Sequence, residues 1–278
     1  MDLFARCFLL VFAQLYVGGL LALSVPPFHA VERGFYKSTA AVYLGAGVLA
    51  FIGRVALVVW PPGGSAPPGA LHVIELLLWL LSLSAASLYL WSLWGEAFVL
   101  RARAYVVAWM SGTAALIVGA QLFRLGTWLS IDAVLYPVSF VISALVLGAV
   151  TNGMLLGHWY LIDRGLTIEP FRRVFRFFVV ILGTQAGGLL LTAALLPLAG
   201  TAPSSAALRS LFQDHGTLLA VRLLLSPVAS AALAWMIWKT LQIPQTMAAT
   251  GLFYIAILSV LVGEMMGRFI LFRTSLPL

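Results

Sequence analysis

The chain of 278 residues is 62% hydrophobic and only 9% charged, a balance that excludes an ordinary soluble domain. Its net charge of +7 is dispersed, without a Lys/Arg-rich stripe and interleaved aromatic residues, which argues against nucleic-acid binding. The single cysteine, Cys7, excludes an internal disulfide and a zinc or iron–sulfur centre held by several cysteines.

Long apolar stretches then follow one another along the whole chain. A bilayer core of about 30 Å needs about 20 apolar residues in a helix, and runs of this length in lipid are helical. We therefore predict an all-α, polytopic membrane protein with one domain over 1–278 and two packed four-helix bundles. Its eight predicted transmembrane helices cover residues 5–25, 39–60, 70–94, 104–124, 133–162, 172–198, 216–239 and 246–270.

The connections between these spans are short. The apolar run after Arg6 is longer than the core of a cleavable signal, so we interpret it as an uncleaved first span. Residues 61–69 are rich in Pro and Gly and predict an uncharged turn, and 200–215 predicts an exposed loop. Any soluble catalytic machinery is therefore expected on another polypeptide.

Basic residues outside the apolar cores predict the orientation, because Lys and Arg accumulate in cytoplasmic loops. Three lie on the side that carries both termini: Arg6, Arg209 and Arg273. Nine lie on the other side: Arg33, Lys37, Arg101, Arg103, Arg164, Arg172, Arg173, Arg176 and Lys239. The bias predicts both termini outside.

Ionisable side chains within or at the ends of spans are expensive in lipid and are candidates for function. They gather near the outer side: Arg54, His72, Glu75, Arg124, Asp132, Arg222, Glu264 and Arg268. Two interpretations stand: pairs that hold the bundle together, or a polar pocket for a head group, proton or ion. We favour pairing for Arg124 and Asp132 at the ends of spans, and function for the deeper Arg54, Glu75, Arg222 and Glu264.

Small-residue spacings predict close helix packing. Gly153–Gly157, Gly183–Gly187 and Gly263–Gly267 each have this spacing, and the last also places Glu264 and Arg268 one turn apart on one face. At the inner end of the fifth span, His158 and Tyr160 indicate either an aromatic anchor or a second, proton-exchanging site. No span carries paired buried histidines, so we expect no intrinsic haem, and no metal-site spacing occurs.

The last span contains the sharpest pattern, a small–acidic–small–Arg segment followed by aromatic residues over 263–272. It resembles the final helix of the membrane anchor subunits of dimethyl-sulfoxide-reductase-type complexes, relatives of the polysulfide- and nitrite-reductase anchors. His72 near the start of the third span is similar to the quinol-proximal histidine of that family. Span number, length and termini agree, whereas no second family motif occurs in the N-terminal half.

The resemblance implies a quinol-binding subunit in the inner membrane of a prokaryote, acting in anaerobic respiration. Such an anchor oxidises menaquinol or ubiquinol near the outer face, without intrinsic haem or iron–sulfur clusters of its own. Electrons pass to an iron–sulfur subunit and a catalytic subunit docked there. His72 and Glu75 would accept protons, and the quinol-binding or charge cluster would comprise Arg54, Arg124, Arg222, Glu264 and Arg268.

Two other functions remain open from the residues alone. A secondary transporter or proton-coupled permease would show polar residues at the membrane midplane and broken helices at matching positions. Gln14, Gln121 and Gln185 are the main polar side chains away from the outer charges, and Pro137 and Pro227 interrupt otherwise regular spans. A structural anchor or assembly protein would use the charges for packing only.

Overall fold

The computed structural model describes residues 3–59, 69–163, 165–243 and 245–278, and all regular structure in these ranges is helical. Eight helical segments are long and apolar enough to cross a membrane. They are α1 Leu3–Ala22, α2 Arg33–Val59, α3 Ala70–Ser92, α4 Phe98–Gln121, α5 Asp132–Ile162, α6 Glu169–Ala199, the composite segment Gly216–Gln242, and α10 Thr246–Thr274. The protein is therefore an all-α, multi-pass membrane protein, which confirms the prediction.

The composite seventh span is not a uniform α-helix. It consists of α8 Gly216–Leu223, a π-helical segment Leu224–Ala229 and α9 Ser230–Gln242. Pro227 lies inside the π-helical segment and has no backbone N–H to donate to the preceding turn. A π-helical insertion of this kind often accompanies a functional position in a helix.

Two helices begin about six residues before the predicted apolar runs: α2 starts at Arg33 and α4 at Phe98. Basic residues, including Lys37 and Arg101, occupy these additional turns. Such charged turns fall outside an apolar run, so hydropathy does not assign them to the span. Lys and Arg are nevertheless good helix formers, and their charged ends reach the interface. The predicted turn over 61–69 lies outside the described residues apart from Gly69, as does Arg164.

The predicted exposed loop over 200–215 is wrong, because this segment contains the helix α7, Ala202–Asp214. Proline at its first turn is compatible with a helix start, since the missing N–H has no intrahelical partner there. Ser204, Leu208 and Leu211 recur at helical spacing and are all buried. Apolar burial on one face therefore outweighs the turn-forming composition of Pro203, Ser204 and Ser205.

The helices form two four-membered rings of contacts. The first bundle contains α1–α4, and the second contains α5, α6, the composite span and α10. The bundles meet mainly where α1 packs along α5. There a Cβ added to Gly18 would lie 1.7 Å from the carbonyl oxygen of Ala144, and one added to Gly148 would lie 2.0 Å from the Gly18 backbone. Only glycine permits this backbone contact.

Two of the three predicted small-residue seams are observed. A Cβ at Gly153 would lie 2.3 Å from the ring of Phe253 on α10, and one at Gly263 would lie 2.5 Å from Ser226 in the π-helical segment. The seam predicted at Gly183–Gly187 is wrong, because a Cβ at either glycine would meet no described atom within 4 Å. Both of these glycines face outward on α6.

Candidate functional site

The ionisable residues predicted at one depth divide into three separate groups. Arg54, His72 and Glu75 line a cavity in the first bundle. A buried network in the second bundle contains Arg222, Glu264 and Arg268. Arg124 and Asp132 make local contacts at the ends of their spans.

The cavity has a volume of about 420 Å³ and lies among α1, α2, α3 and α4. Phe140 of α5 and Phe272 of α10 close it toward the second bundle. Arg54 lies within two turns of the end of the described part of α2, and His72 lies in the first turn of α3. The cavity therefore sits near the membrane face that carries both termini, with apolar walls and a few polar groups.

Glu75 is the carboxylate of the cavity, and Arg54 holds it across the α2–α3 interface. The Arg54 Nε lies 3.1 Å from each carboxylate oxygen, and its Nη2 lies 2.5 Å from Oε2. The indole N–H of Trp79 donates to Glu75 Oε1 at 3.4 Å. Gly119 of α4 leaves the room for this carboxylate, since a Cβ there would lie 2.9 Å from Oε1. The pair is thus charge-balanced and oriented by three helices.

His72 lies one turn before Glu75 on α3 and also lines the cavity. Its half-buried imidazole makes no side-chain hydrogen bond with any described residue. Imidazole is the side chain best suited to accept and release a proton near neutral pH. His72 is therefore a polar side chain of this cavity that no described residue holds in place by a side-chain hydrogen bond.

Three lining residues were missed by sequence reasoning: Arg6, Trp79 and Gly119. Arg6 was interpreted only as a flanking charge, although its Nε is buried and has no hydrogen-bond partner among the described residues. Its position near the start of α1, a helix that runs parallel to α3, was a usable signal. Trp79 follows Glu75 by four residues on one helix face, which also was a usable signal.

The buried network lies deeper and is almost completely removed from the surroundings. Arg222 is 1% exposed, and Glu264 and Arg268 are 0% exposed. Arg222 Nη1 donates to Glu264 Oε1 at 2.7 Å, and Arg268 Nη2 donates to Glu264 Oε2 at 3.0 Å. The amide of Gln185 also donates to Glu264, and Ser226 donates to Gln185 Oε1 at 3.0 Å. Two guanidinium groups share one carboxylate, leaving a local excess of one positive charge.

Residues of this network do not line the cavity. The guanidinium of Arg268 lies 5.4 Å from the ring centroid of Phe140, and Phe140 is itself a cavity wall. The expected pairing of Glu264 with Arg268 is observed, but the structure does not bring Glu264 and His72 into one cavity. Depth in the membrane alone could not separate Glu264 from His72, because it does not determine which way each helix face points.

Arg124 and Asp132 contact neighbouring polar groups. Arg124 donates to Gln121 at 2.7 Å and to the carbonyl of Gly126 at 2.8 Å, and its guanidinium lies 3.8 Å from the ring centroid of Trp128. Asp132 is buried and accepts hydrogen bonds from two hydroxyls at the start of α7, at 3.1 and 2.6 Å. These contacts connect helix ends to each other and agree with the structural interpretation.

His158 and Tyr160 do not share a pocket. His158 is exposed, and its Nδ1 lies 3.1 Å from the hydroxyl of Tyr254. Tyr160 is buried, donates to the carbonyl of Thr167 at 2.6 Å and stacks on Phe171. The two side chains leave α5 in different directions, so their contacts support an anchor more than a joint site.

No protein-family model matches the chain, and a search of the curated proteins finds no match to it either. The function must therefore be argued from the site geometry itself.

Proposed function

We propose that this protein is a quinol-binding integral membrane subunit of a multi-subunit oxidoreductase, in which the first-bundle cavity receives the quinol head group. The observation that carries the proposal is the convergence of His72, Glu75 and Arg54 on one largely apolar cavity within two turns of a membrane face. Small-molecule sites are typically apolar clefts of about 300–1,000 Å³ with a few convergent polar groups. The cavity volume of about 420 Å³ falls within that range.

The polar groups fit the chemistry of quinol oxidation. Menaquinol or ubiquinol releases two protons and two electrons when it becomes the quinone. His72, whose ring has no partner among the described residues, takes the two protons in turn and releases the first at the nearby membrane face before it accepts the second. Arg54 orients the Glu75 carboxylate for a hydrogen bond from a quinol hydroxyl. Arg6 offers a donor to the oxygen that becomes a quinone carbonyl.

The electrons leave through a redox partner. We propose that an iron–sulfur subunit, with a catalytic subunit beyond it, docks on the membrane face where the cavity lies. With the basic connections in the cytoplasm, that face is the outer surface of a prokaryotic inner membrane. The arrangement is that of the dimethyl-sulfoxide-reductase-type anchors, which the final-helix pattern over 263–272 resembles.

A photoreactive azidoquinone tests the head-group position without the partner. Irradiated with the purified full chain, it should label peptides of α1–α4 that line the cavity, and excess menaquinol analogue should protect them. Labelling confined to the lipid-facing surface of both bundles would contradict the proposal. Purification from native membranes should also recover a protein with iron–sulfur signals in electron paramagnetic resonance.

A second candidate function, a proton-coupled transporter, is favoured by one observation. The π-helical segment interrupts the composite span beside the network of Gln185, Ser226 and Glu264. Broken helices with polar residues deep in the membrane are typical of transport sites. Proteoliposomes that contain only this chain distinguish the two functions: proton movement by the chain alone supports transport, whereas a quinol subunit moves no protons alone.

A further inference from the structure

The connection between α3 and α4 brings two guanidinium groups together. Arg33 Nη1 lies 3.3 Å from the carbonyl oxygen of Gly95, and Arg101 Nη2 lies 2.7 Å from the same oxygen. Arg101 also donates to the carbonyl of Ser92 at 3.0 Å. A single carbonyl therefore serves two cations that repel each other. An anion placed beside these two cations would be stabilised by both of them.

No carboxylate in the described residues forms an ion pair with either of these two cations. The ion pairs of the described part join Arg54, Arg176, Arg222 and Arg268 to carboxylates within 4.0 Å, but neither Arg33 nor Arg101 is among them. Glu32 and Glu96 lie in the adjoining connections, and neither forms such a pair there. Arg101 is only 6% exposed, and its Nε and Nη1 have no hydrogen-bond partner in the described part of the chain.

Aromatic rings complete the surroundings of these cations. Arg33 and Arg101 lie 6.0 and 5.2 Å from the ring centroid of Phe98. Lys37, one turn after Arg33 on α2, places its Nζ 4.7 Å from the ring centroid of Trp94. Phe98 and Trp94 are 61% and 64% exposed. Trp side chains of this kind belong at the depth of lipid head groups.

We infer that Arg33, Lys37 and Arg101 form a binding site for the phosphate of an anionic phospholipid. Charge complementarity favours a phosphate as the ligand, because three cations lie close to one another without a described counterion. The exposed apolar surface beside the site includes Trp91 and Val99 and would contact the acyl chains of the lipid. A free phosphate ion would satisfy the cations but would leave this apolar surface unused.

Short-chain phosphatidylglycerol tests the site when titrated into the detergent-solubilised full chain. Phosphatidylcholine with the same chains is the neutral comparison, and inorganic phosphate is the competitor. Arg33→Gln and Lys37→Gln are the variants, because both side chains are partly exposed. Arg101 is left unchanged, because it donates to two backbone carbonyls that its replacement would leave without a donor. Arg173→Gln is the matched control, since it removes an exposed cation from the start of α6 on the same membrane face.

Phosphatidylglycerol should bind at least about tenfold more tightly than phosphatidylcholine, and each variant should weaken it by about fivefold. Arg173→Gln should leave the affinity within about twofold of the original. Equal binding of the two lipids, or an equal loss in the control, would overturn the inference. Displacement of the lipid by inorganic phosphate at similar concentrations would also overturn it, because the ligand would then be a free anion.

Discussion

Arg54 holds Glu75 through Nε contacts of 3.1 Å to both carboxylate oxygens, while His72 one turn earlier on α3 has no described hydrogen-bond partner. The two potential proton acceptors of the cavity therefore differ in whether a described side chain already holds them. Glu75 is committed to an arginine and to the indole of Trp79, whereas His72 can respond to a ligand. This difference assigns proton exchange to His72 and orientation to Glu75 in the proposed quinol reaction.

Replacing His72 with Ala should lower quinol oxidation by the assembled complex about 10²–10⁴-fold, because a positioned general base is lost. Val73→Ala is the control, since Val73 is the adjacent residue of α3 and is 47% exposed on its outer surface. Turnover should be measured with a quinol analogue at equal amounts of assembled complex. Near-normal turnover in His72→Ala would remove it as the proton acceptor.

A methyl group at residue 119 tests the carboxylate position. Gly119→Ala would place a Cβ 2.9 Å from Glu75 Oε1, so the carboxylate must shift and quinol-analogue affinity should fall about tenfold. Gly45→Ala is the control, because its Cβ would meet no described atom within 4 Å. Binding titrations on both purified variants provide the measurement. An unchanged affinity in Gly119→Ala would show that Glu75 does not orient the ligand.

Glu264→Gln should destabilise the second bundle strongly. It removes the only described carboxylate that contacts Arg222 and Arg268, and breaking a buried ion pair costs about 3–5 kcal/mol. Glu169→Gln should cost less than about 1 kcal/mol, because its pair with Arg176 is exposed. Thermal unfolding in detergent should separate the two variants. Equal melting temperatures would mean that the buried charges are already compensated elsewhere.

Orientation can be tested by reporter fusions. An alkaline phosphatase fused after Leu278 should be active, because the bias of basic residues predicts that this end lies outside the cytoplasm. A green fluorescent protein fused after Gly165, between α5 and α6, should fluoresce in the cytoplasm. The reversed pattern would place the cavity on the cytoplasmic side and would exclude an external redox partner.

Hydropathy predicts the spans because apolar length is a local property, whereas the partners across helices depend on rotation. The Glu264–Arg268 pair was predictable, since both residues lie on one helix face. The pairing of Arg54 with Glu75, and of Arg222 with Glu264, was not predictable. Helices with apolar residues on all sides do not show in their sequence which face is turned toward a neighbouring helix. Their common depth suggested one cluster, and only the packing places Glu75 in the cavity and Glu264 in the separate buried network.

Helix α7 was missed for a different reason. Its polar composition around Pro203 predicts a turn when each residue is weighed alone. Its apolar face packs in a cluster with Leu196 and Ile270, and Ser204 donates a hydrogen bond to Asp132, which lies 72 residues away. A contact over that separation leaves no local signal in the sequence.

The contact between α1 and α5 also constrains how the chain is made. The side chain of Gln14 donates to the carbonyl of Phe140 at 3.1 Å, and Asn152 donates to the carbonyl of Ala22 at 2.9 Å, over separations of 126 and 130 residues. At a synthesis rate of about 5–20 residues per second, α5 emerges roughly 6–26 s after α1. During that interval the Gln14 amide lacks its acceptor on α5. We therefore expect the translocation machinery, or water near the polar surface, to shelter that side chain until the fifth helix arrives.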